Sequence, residues 1–440
     1  MKSPNADCVP LDPEFSPLPP TIFMNDPQLT EILPQLHHYL SDYLTLDRGL
    51  TEMEIEHLLA DSLGELSALV PPEIKYLYTW HNGDRDYAEN LDGILAGYQF
   101  LPLQAVLGEY QQLLQLNETV GYPVWQSTWL PIFPMDSKQF CIVMLGRDGI
   151  YEIFLEDGTP HLLFENFSQL LRVIATAYDR GAYQWRSHQG YAQIQVEEQG
   201  LAEIIRTVQS DYRAEVLGKL QTVTTSADLE AIAHALIQLK DPDSVPYLYQ
   251  FLESSTDVPL LMDTINILAE IKAPSTLGYL HKLLVTTDDY RIKVSVLSAL
   301  FSFAHPDTME YLPQELRSMD DVVRSLAISV LHSICTQNPS LPIPPELIQL
   351  LEVHLNDPNL PLCITSAGIL CRLSHAPALD TLTQLADHPN PVVRLKVLAS
   401  LAVCPDPRAL TIVSSRMDDP DSQVRATAHH IHQCLMGLQS

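Results

Sequence analysis

Cations are scarce in this chain. Lysine and arginine number 25 against 55 aspartates and glutamates, a formal net charge of −30. Both halves share the deficit, with 9 basic against 26 acidic residues over positions 1–186 and 16 against 29 in the remainder. Such a field repels a nucleic-acid duplex and an anionic membrane alike and favours basic partners. No two of the seven cysteines stand at C-x-x-C spacing, so neither a zinc ribbon nor a dithiol redox motif is written here. Cys335, Cys363, Cys371, Cys404 and Cys434 fall on apolar helical positions and read as small core residues in a reducing compartment. Nowhere do 18 apolar residues run without interruption, and the first residues show no basic segment followed by an apolar run, so the expected location is the cytoplasm.

Catalytic signatures are missing too. There is no G-x-x-x-x-G-K-[ST] phosphate loop, no G-x-S-x-G elbow and no H-E-x-x-H zinc helix. Metal-ligating types crowd together only at His429, His430, His432 and Cys434, and no second segment supplies the four converging ligands of a closed site. The expectation is a protein that is not an enzyme and carries neither cofactor nor metal.

What the chain has is repetition. Prolines at 242, 274, 306, 345, 377 and 407 head successive units spaced by 32, 32, 39, 32 and 30 residues. Five residues after the first three come Tyr247, Tyr279 and Tyr311; six after come Leu248, Leu280 and Leu312; ten after come Leu252, Leu284 and Leu316. The fourth unit keeps Leu351 and Leu355. Offsets differing by four lie on one face of a helix that starts at the proline, where a missing N–H costs nothing. Asp257, Asp289 and Asp321 mark an acidic turn fifteen residues after their prolines, and a second apolar-periodic segment follows, such as Val294 to Phe301. Each unit is therefore a helix, a polar turn and a second helix, and only stacking on neighbours can bury its apolar stripe. The longer third spacing inserts a Pro-rich loop at 336–344 that is expected to break the array locally.

These units resemble HEAT-like repeats of the short kind found in the phycobilisome-lyase group. Its Asp-Asp-x-x-Val-Arg wording appears as Asp320-Asp-Val-Val-Arg324 and, more loosely, around Arg394 and Arg425. The resemblance implies that these arginines tie one repeat to the next acidic turn. HEAT-like repeats also build a di-iron hydroxylase ligated by His-Glu pairs, but no histidine here is followed by glutamate.

Ahead of the array, residues 1–27 are proline-rich and read as a disordered leader. Thr51-x-x-Glu54 is a capping-box pattern before Ile55, Leu58, Leu59 and Leu63. His37, His38 and His57 read as helix-surface residues. A proline-started helix carries Ile74, Leu77, Tyr78 and Trp80, with Asn82-Gly83 as its stop. The 84–92 loop that follows is acidic and is expected to be exposed. From Trp125 the period changes to short apolar runs at 129–133, 140–145, 150–155 and 161–164, parted by Asp148-Gly149 and Asp157-Gly158, which predicts an antiparallel meander with a helix from Phe167 packed on it.

The ordered series Pro72, Leu77-x-x-Trp80-x-Asn82-Gly83, Phe100-Leu-Pro-Leu103, Trp129-Leu-Pro-Ile-Phe133 and Phe164-x-x-Phe167 resembles the SUKH superfamily, which includes the Smi/Knr regulators of fungal cell-wall synthesis and bacterial toxin-immunity proteins. Met144 stands where that family usually has an aspartate. The resulting division is a leader (1–27), a SUKH-like α+β domain with an antiparallel sheet and flanking helices (28–185), a Gln-rich connector with a capping helix over 201–220 (186–225), and an all-α HEAT-like solenoid (226–440).

The functional expectation is an acidic, non-catalytic scaffold or regulator, immunity-like, that binds basic protein partners through Asp84, Asp86, Glu89, Asp92 and Trp125. Trp80 and Trp129 read as core aromatics. The alternative implied by the repeats is a bilin lyase-related factor acting on phycobiliproteins.

Overall fold

A computed structural model describes residues 27–439 apart from 88–91, 122, 136–138, 157 and 189–190. The leader expected over 1–27 lies almost wholly outside the described residues. The chain divides into two compact units, one ending at Lys219 and one beginning at Leu220.

The first unit runs α1 (Pro27–Leu40), β1 (Leu46–Arg48), α2 (Glu52–Leu63), α3 (Pro72–Trp80), β2 (His81–Asp84), α4 (Leu103–Val120), β3 (Trp129–Pro134), β4 (Gln139–Met144), β5 (Ile150–Phe154), β6 (His161–Phe164), α5 (Phe167–Asp179), β7 (Tyr183–His188), β8 (Tyr191–Val196), α6 (Glu198–Val208) and α7 (Ser210–Leu220). The expected capping box forms: Glu54 N–H donates to Thr51 Oγ1 at 3.3 Å and Thr51 N–H to Glu54 Oε2 at 2.7 Å. The meander also forms, as an antiparallel sheet ordered β3-β4-β5-β6. Both of its faces are covered. Leu130, Ile132, Cys141 and Val143 join the main core with α5, while Trp129, Phe140, Ile142 and Ile153 pack on the other side. That explains why these strands read as continuous apolar runs rather than as alternation.

Two local expectations change. Asn82-Gly83 does not end α3 as a left-handed stop, because the helix gives way directly to β2, which pairs with β1. Gly83 does have φ +79, and a Cβ there would stand 2.3 Å from Pro102 N, so only glycine fits. Residues 186–219, expected as a connector, are instead the β7–β8 hairpin followed by α6 and most of α7, inside the first unit. The signal was there: Tyr183 and Ile194 are buried while Gln184, Gln193 and Gln195 beside them are exposed, the period of two of a half-buried ribbon.

The second unit begins with α8 (Ser226–Leu239) and continues as pairs: α9 (Val245–Ser254) with α10 (Val258–Ile271), α11 (Thr276–Thr286) with α12 (Tyr290–Phe303), α13 (Leu312–Leu316, preceded by a 3-10 turn from Pro306) with α14 (Asp321–Gln337), α15 (Pro345–His354) with α16 (Leu360–Cys371), α17 (Ala376–Leu385) with α18 (Pro391–Leu401) and α19 (Arg408–Ser414) with α20 (Ser422–Gln439). Second helices stack in a row led by α8, so α8 precedes the first pair. Leu248, Leu280 and Leu312 are fully buried, as their shared offset requires. Asp289 caps α12, but Asp320 rather than Asp321 caps α14, accepting from Val322 N at 2.8 Å and Val323 N at 3.1 Å. Asparagine takes the capping role at Asn359 and Asn390.

Adjacent first helices are keyed by a contact the sequence had not suggested. The ring seven residues after one proline stacks on the tyrosine five residues after the next: Tyr249 on Tyr279 at 3.6 Å and His281 on Tyr311 at 4.1 Å. The same two residues reach a buried hydroxyl two residues after that proline, Tyr249 Oη to Thr276 Oγ1 at 3.2 Å and His281 Nε2 to Thr308 Oγ1 at 2.9 Å. The pattern stops where the spacing lengthens, yet the stack does not. Across the insertion, His354 Nε2 bonds to Leu316 O at 3.0 Å, Arg317 pairs with Glu346 at 2.7 Å, and Leu341 and Ile343 pack onto the core. The expected break is therefore absent: the added residues supply apolar side chains that fill the step.

Candidate partner-binding surfaces

The acidic loop after β2 is built differently from its expectation. Asp84 is only 1% exposed and accepts from Thr45 N at 3.0 Å and Asp86 N at 3.3 Å. Asp92 is 3% exposed; one oxygen takes the Gly97 N–H and the other the Ile194 N–H at 2.7 Å, which fastens the β7–β8 hairpin to this loop. A short carboxylate can satisfy two main-chain donors that would otherwise be buried without an acceptor, and that need draws both side chains inward. Asp86 does remain exposed, where it accepts from Thr45 Oγ1 at 2.6 Å. Glu89 lies outside the described residues. The flanking glycines in Gly83-Asp84 and Asp92-Gly93 were a legible sign of loop clamps.

Trp125 is likewise withdrawn from the surface, at 1% exposed. Its indole N–H donates to Trp129 O at 2.9 Å, and its ring meets Trp129 and Phe140 edge-on at 5.6 and 5.3 Å. The Asn117 side chain holds its main chain, accepting from Val124 N and Trp125 N at 2.7 and 2.9 Å and donating to Trp125 O at 2.7 Å. Trp125 thus closes the far face of the meander. Trp129 is buried, as expected of a core aromatic, and Trp80 is half-buried against His81. Among side chains that reach the surface here, Tyr43 stacks on Trp185 at 4.9 Å while 44% exposed, a pair no sequence motif had singled out.

Of the three arginines expected to tie repeats together, Arg324 and Arg394 do so and Arg425 does not. Arg394 at the head of α18 holds Asp419 by two bonds of 2.9 and 2.6 Å and also donates to His388 O at 2.8 Å. This pairing draws the Asp419 carboxyl below its ordinary value, with the Arg394 hydrogen bond as the leading cause. Arg324 reaches Asp357 of the following repeat at 3.7 Å and donates to Ser318 O at 2.7 Å. In the preceding repeat a lysine takes over this role, Lys293 pairing with the buried Glu315 at 2.9 Å. Arg425 donates to its own turn, to Asp419 O at 2.6 Å and Pro420 O at 3.0 Å.

The C-terminal histidine cluster does not converge. His429 and His430 are exposed, and Cys434, expected in the core, is exposed with its Sγ 3.9 Å from His430 Nε2. Among the described residues no three His, Cys, Asp or Glu side chains gather as a metal site. Cys335, Cys363, Cys371 and Cys404 are buried, and burial pushes the Cys335 thiol up to about 11. No helix among the described residues is long and apolar enough to cross a membrane.

Two family models match stretches of this chain. Residues 58–173 match the SMI1 / KNR4 family (SUKH-1), and residues 344–430 match HEAT repeats. The chain thus carries a SUKH-1 domain followed by HEAT repeats. No curated protein matches the sequence. Among solved structures, human deoxyhypusine hydroxylase in complex with glycerol is 15% identical over 52% of this chain and 98% of its own, with a TM-score of 0.27. A designed armadillo repeat protein is 16% identical over 50% of this chain and 98% of its own, with a TM-score of 0.31. An engineered protein is 20% identical over 54% and 71%, with a TM-score of 0.35. Both module types fit a protein-interaction or scaffold role.

Proposed function

We propose that this pairing of a SUKH-1 domain with HEAT repeats serves as a non-catalytic scaffold or regulator in the cytoplasm, immunity-like in its logic, whose acidic surface receives a basic protein partner. The observation that carries the reading is where the array's arginines go. Arg291, Arg317, Arg324, Arg394, Arg408 and Arg416 all pair with carboxylates of the chain itself. These six cations are spent internally, while acids such as Glu230, Glu270 and Asp288 face outward. A negative surface of this kind speeds encounter with positive proteins and rejects negative ones. Among the described residues of the acidic loop, Asp86 is the predicted contact that remains exposed, and it is the one that loop offers a partner.

Affinity capture with the full chain from its native host tests this. The expected result is retention of basic proteins that elute as salt rises, and loss of that retention when exposed array acids such as Glu230, Glu270 and Asp288 are changed to lysine. Captured proteins of acidic character, or retention unaffected by the changes, would overturn it. Incubation with free bilin and an apo-phycobiliprotein addresses the lyase alternative, for which a covalent coloured adduct is the diagnostic product.

A further inference from the structure

Two histidines far apart in sequence meet in the first unit. His37 on α1 is exposed, as a helix-surface residue should be, yet its Nδ1 lies 3.0 Å from Nε2 of His81, the first residue of β2. The ring planes are 14° apart and the centroids 5.0 Å apart, a separation that exceeds the N···N distance by about two ring radii, so the imidazoles meet edge to edge along a hydrogen bond. The other nitrogen of His81, Nδ1, lies 2.9 Å from the Asp47 carbonyl oxygen. That contact fixes the protons of the whole chain of bonds. A carbonyl oxygen only accepts, so Nδ1 of His81 carries the hydrogen. A neutral imidazole has one N–H, so His81 Nε2 is the bare acceptor and His37 Nδ1–H the donor. His37 Nε2 is then an unprotonated lone pair on an exposed ring.

Protonation acts on this chain of bonds in two steps. A first proton enters from water at His37 Nε2, and the bond between the rings becomes charge-assisted. A second would set an N–H of each ring against the other and hold two cations with nitrogens 3.0 Å apart. Among the described residues no carboxylate stands within ion-pairing distance of either ring to relieve that repulsion. On β1, Asp47 gives its carboxylate to Arg85 Nε at 2.9 Å, and Arg48, opposite His81 in the β1–β2 register, is itself a cation and lies 3.8 Å from Glu54 of α2. Asp84 at the end of β2 serves the Thr45 and Asp86 N–H groups. On α1 the His38 ring lies against Tyr39 at 5.7 Å, and on α5 Asp179 accepts from Tyr39 Oη at 3.4 Å. From α3 the Trp80 ring meets His81 edge-on at 4.5 Å. Burial is the leading cause that holds the His81 imidazole below its ordinary value; the Asp47 carbonyl opposes it and the His37 charge adds to it.

We propose that the His37–His81 pair is a proton-operated latch between α1 and β2, which holds with no added proton or with one and opens when the second arrives. Opening frees the last turn of α1 and the link into β1. The core stays closed, because Leu33, Leu36 and Leu40 keep α1 packed with α5. In the unfolded chain both rings take protons near the ordinary value of 6.5, whereas the folded pair resists the second. By linkage, the stability that the latch contributes is whole above that value and is lost as the pH falls below it. The latch makes no use of a partner's charge, so it stands or fails apart from the scaffold reading.

The test titrates the full chain, labelled with ¹⁵N-histidine, from about pH 8 to about pH 5. The two rings are assigned by the loss of their signals in His37→Gln and His81→Gln. At the alkaline end both rings are expected as the Nδ1–H tautomer. On acidification the pair should take up its protons in two separate steps, the second accompanied by a rise of about tenfold in amide exchange over residues 37–45, after correction for the intrinsic pH dependence. In His37→Gln the side-chain amide can donate to the neutral His81 ring and accept from the protonated one, so His81 should titrate in one step and the rise in exchange should vanish. Unchanged thermal unfolding of this variant at the alkaline end separates the result from a folding defect, and the tautomers and the two steps are read on the parent chain alone. An Nε2–H tautomer on either ring at the alkaline end, two rings that titrate independently, or an exchange rise that persists in His37→Gln would each overturn the latch.

Discussion

Asp84 and Asp92 in the first unit and Asp419 and Glu315 in the array are buried carboxylates held in two different ways. In the first unit Asp84 and Asp92 face main-chain N–H groups from distant segments, Thr45 in one case and Gly97 and Ile194 in the other. In the array, Asp419 and Glu315 face the cations Arg394 and Lys293. The difference follows from architecture. A mixed fold with long loops has stray amides to satisfy, whereas a helical stack satisfies most of its own amides and leaves acids such as Asp419 and Glu315 to meet a side chain from the previous repeat. The same residue type is a backbone clamp in one setting and an inter-repeat latch in the other.

That contrast can be broken or sharpened by substitution. The largest effect is expected from Trp125→Ala, which empties a closed aromatic site and should destabilise the first unit by about 4 kcal/mol; urea unfolding followed by near-UV circular dichroism measures it. A loss below about 1 kcal/mol would return this residue to the surface.

Asp92→Ala leaves two main-chain donors without an acceptor and should cost about 3 kcal/mol, with Asp92→Asn milder because its carbonyl still serves one of them. Arg394→Met removes both close bonds to Asp419 and leaves it Arg416 at 4.0 Å and the Asp421 N–H at 3.0 Å. The expected loss is about 2–3 kcal/mol, below the full figure for a deeply buried pair because the turn lies at the edge of the stack. A double-mutant cycle with Asp419→Asn should show coupling of about 1–2 kcal/mol. Finding the latch uncoupled would erase the distinction.

Acid should loosen the array in two steps. Burial holds His281 and His354 below their ordinary value of 6.5, so the stability that depends on their neutral forms is complete above that value and is lost as the pH falls below it. Asp419 is held below 3.8 by Arg394, so its contribution persists to lower pH and is lost only as the pH falls through its depressed value. Amide hydrogen exchange should therefore rise in α11 and α15 before α20. The smallest effect is expected at Asp86→Asn, within about 0.5 kcal/mol of the parent in stability, since the side chain is exposed.

Periodic features were the most legible in the chain. Proline spacing gave the helix pairs, and the columns at Leu248, Leu280 and Leu312 gave the buried face, because a repeated environment prints itself at fixed offsets. Arg324 and Arg394 were readable as links between repeats for the same reason. Residues whose role depends on a partner far away in sequence were not. Asp92 meets Ile194 across 102 positions, and Trp125 turns inward only because β3 and β4 supply a wall. An acidic loop and a tryptophan beside a turn look exposed until the long-range contact is known. The hairpin at 183–196 was missed for a different reason: its glutamines suggest a linker by composition, and its alternation is visible only if period outweighs polarity.

By itself the sequence determined the periodic array, the antiparallel meander and the negative charge of the whole, since each depends on residue types and spacing along the chain. Tertiary structure alone decided which acids are clamps, which are latches and which face solvent. The physical reason is that a charged group takes its role from whatever fills the few ångströms around it, and in a folded chain that surrounding is assembled from segments far apart in sequence.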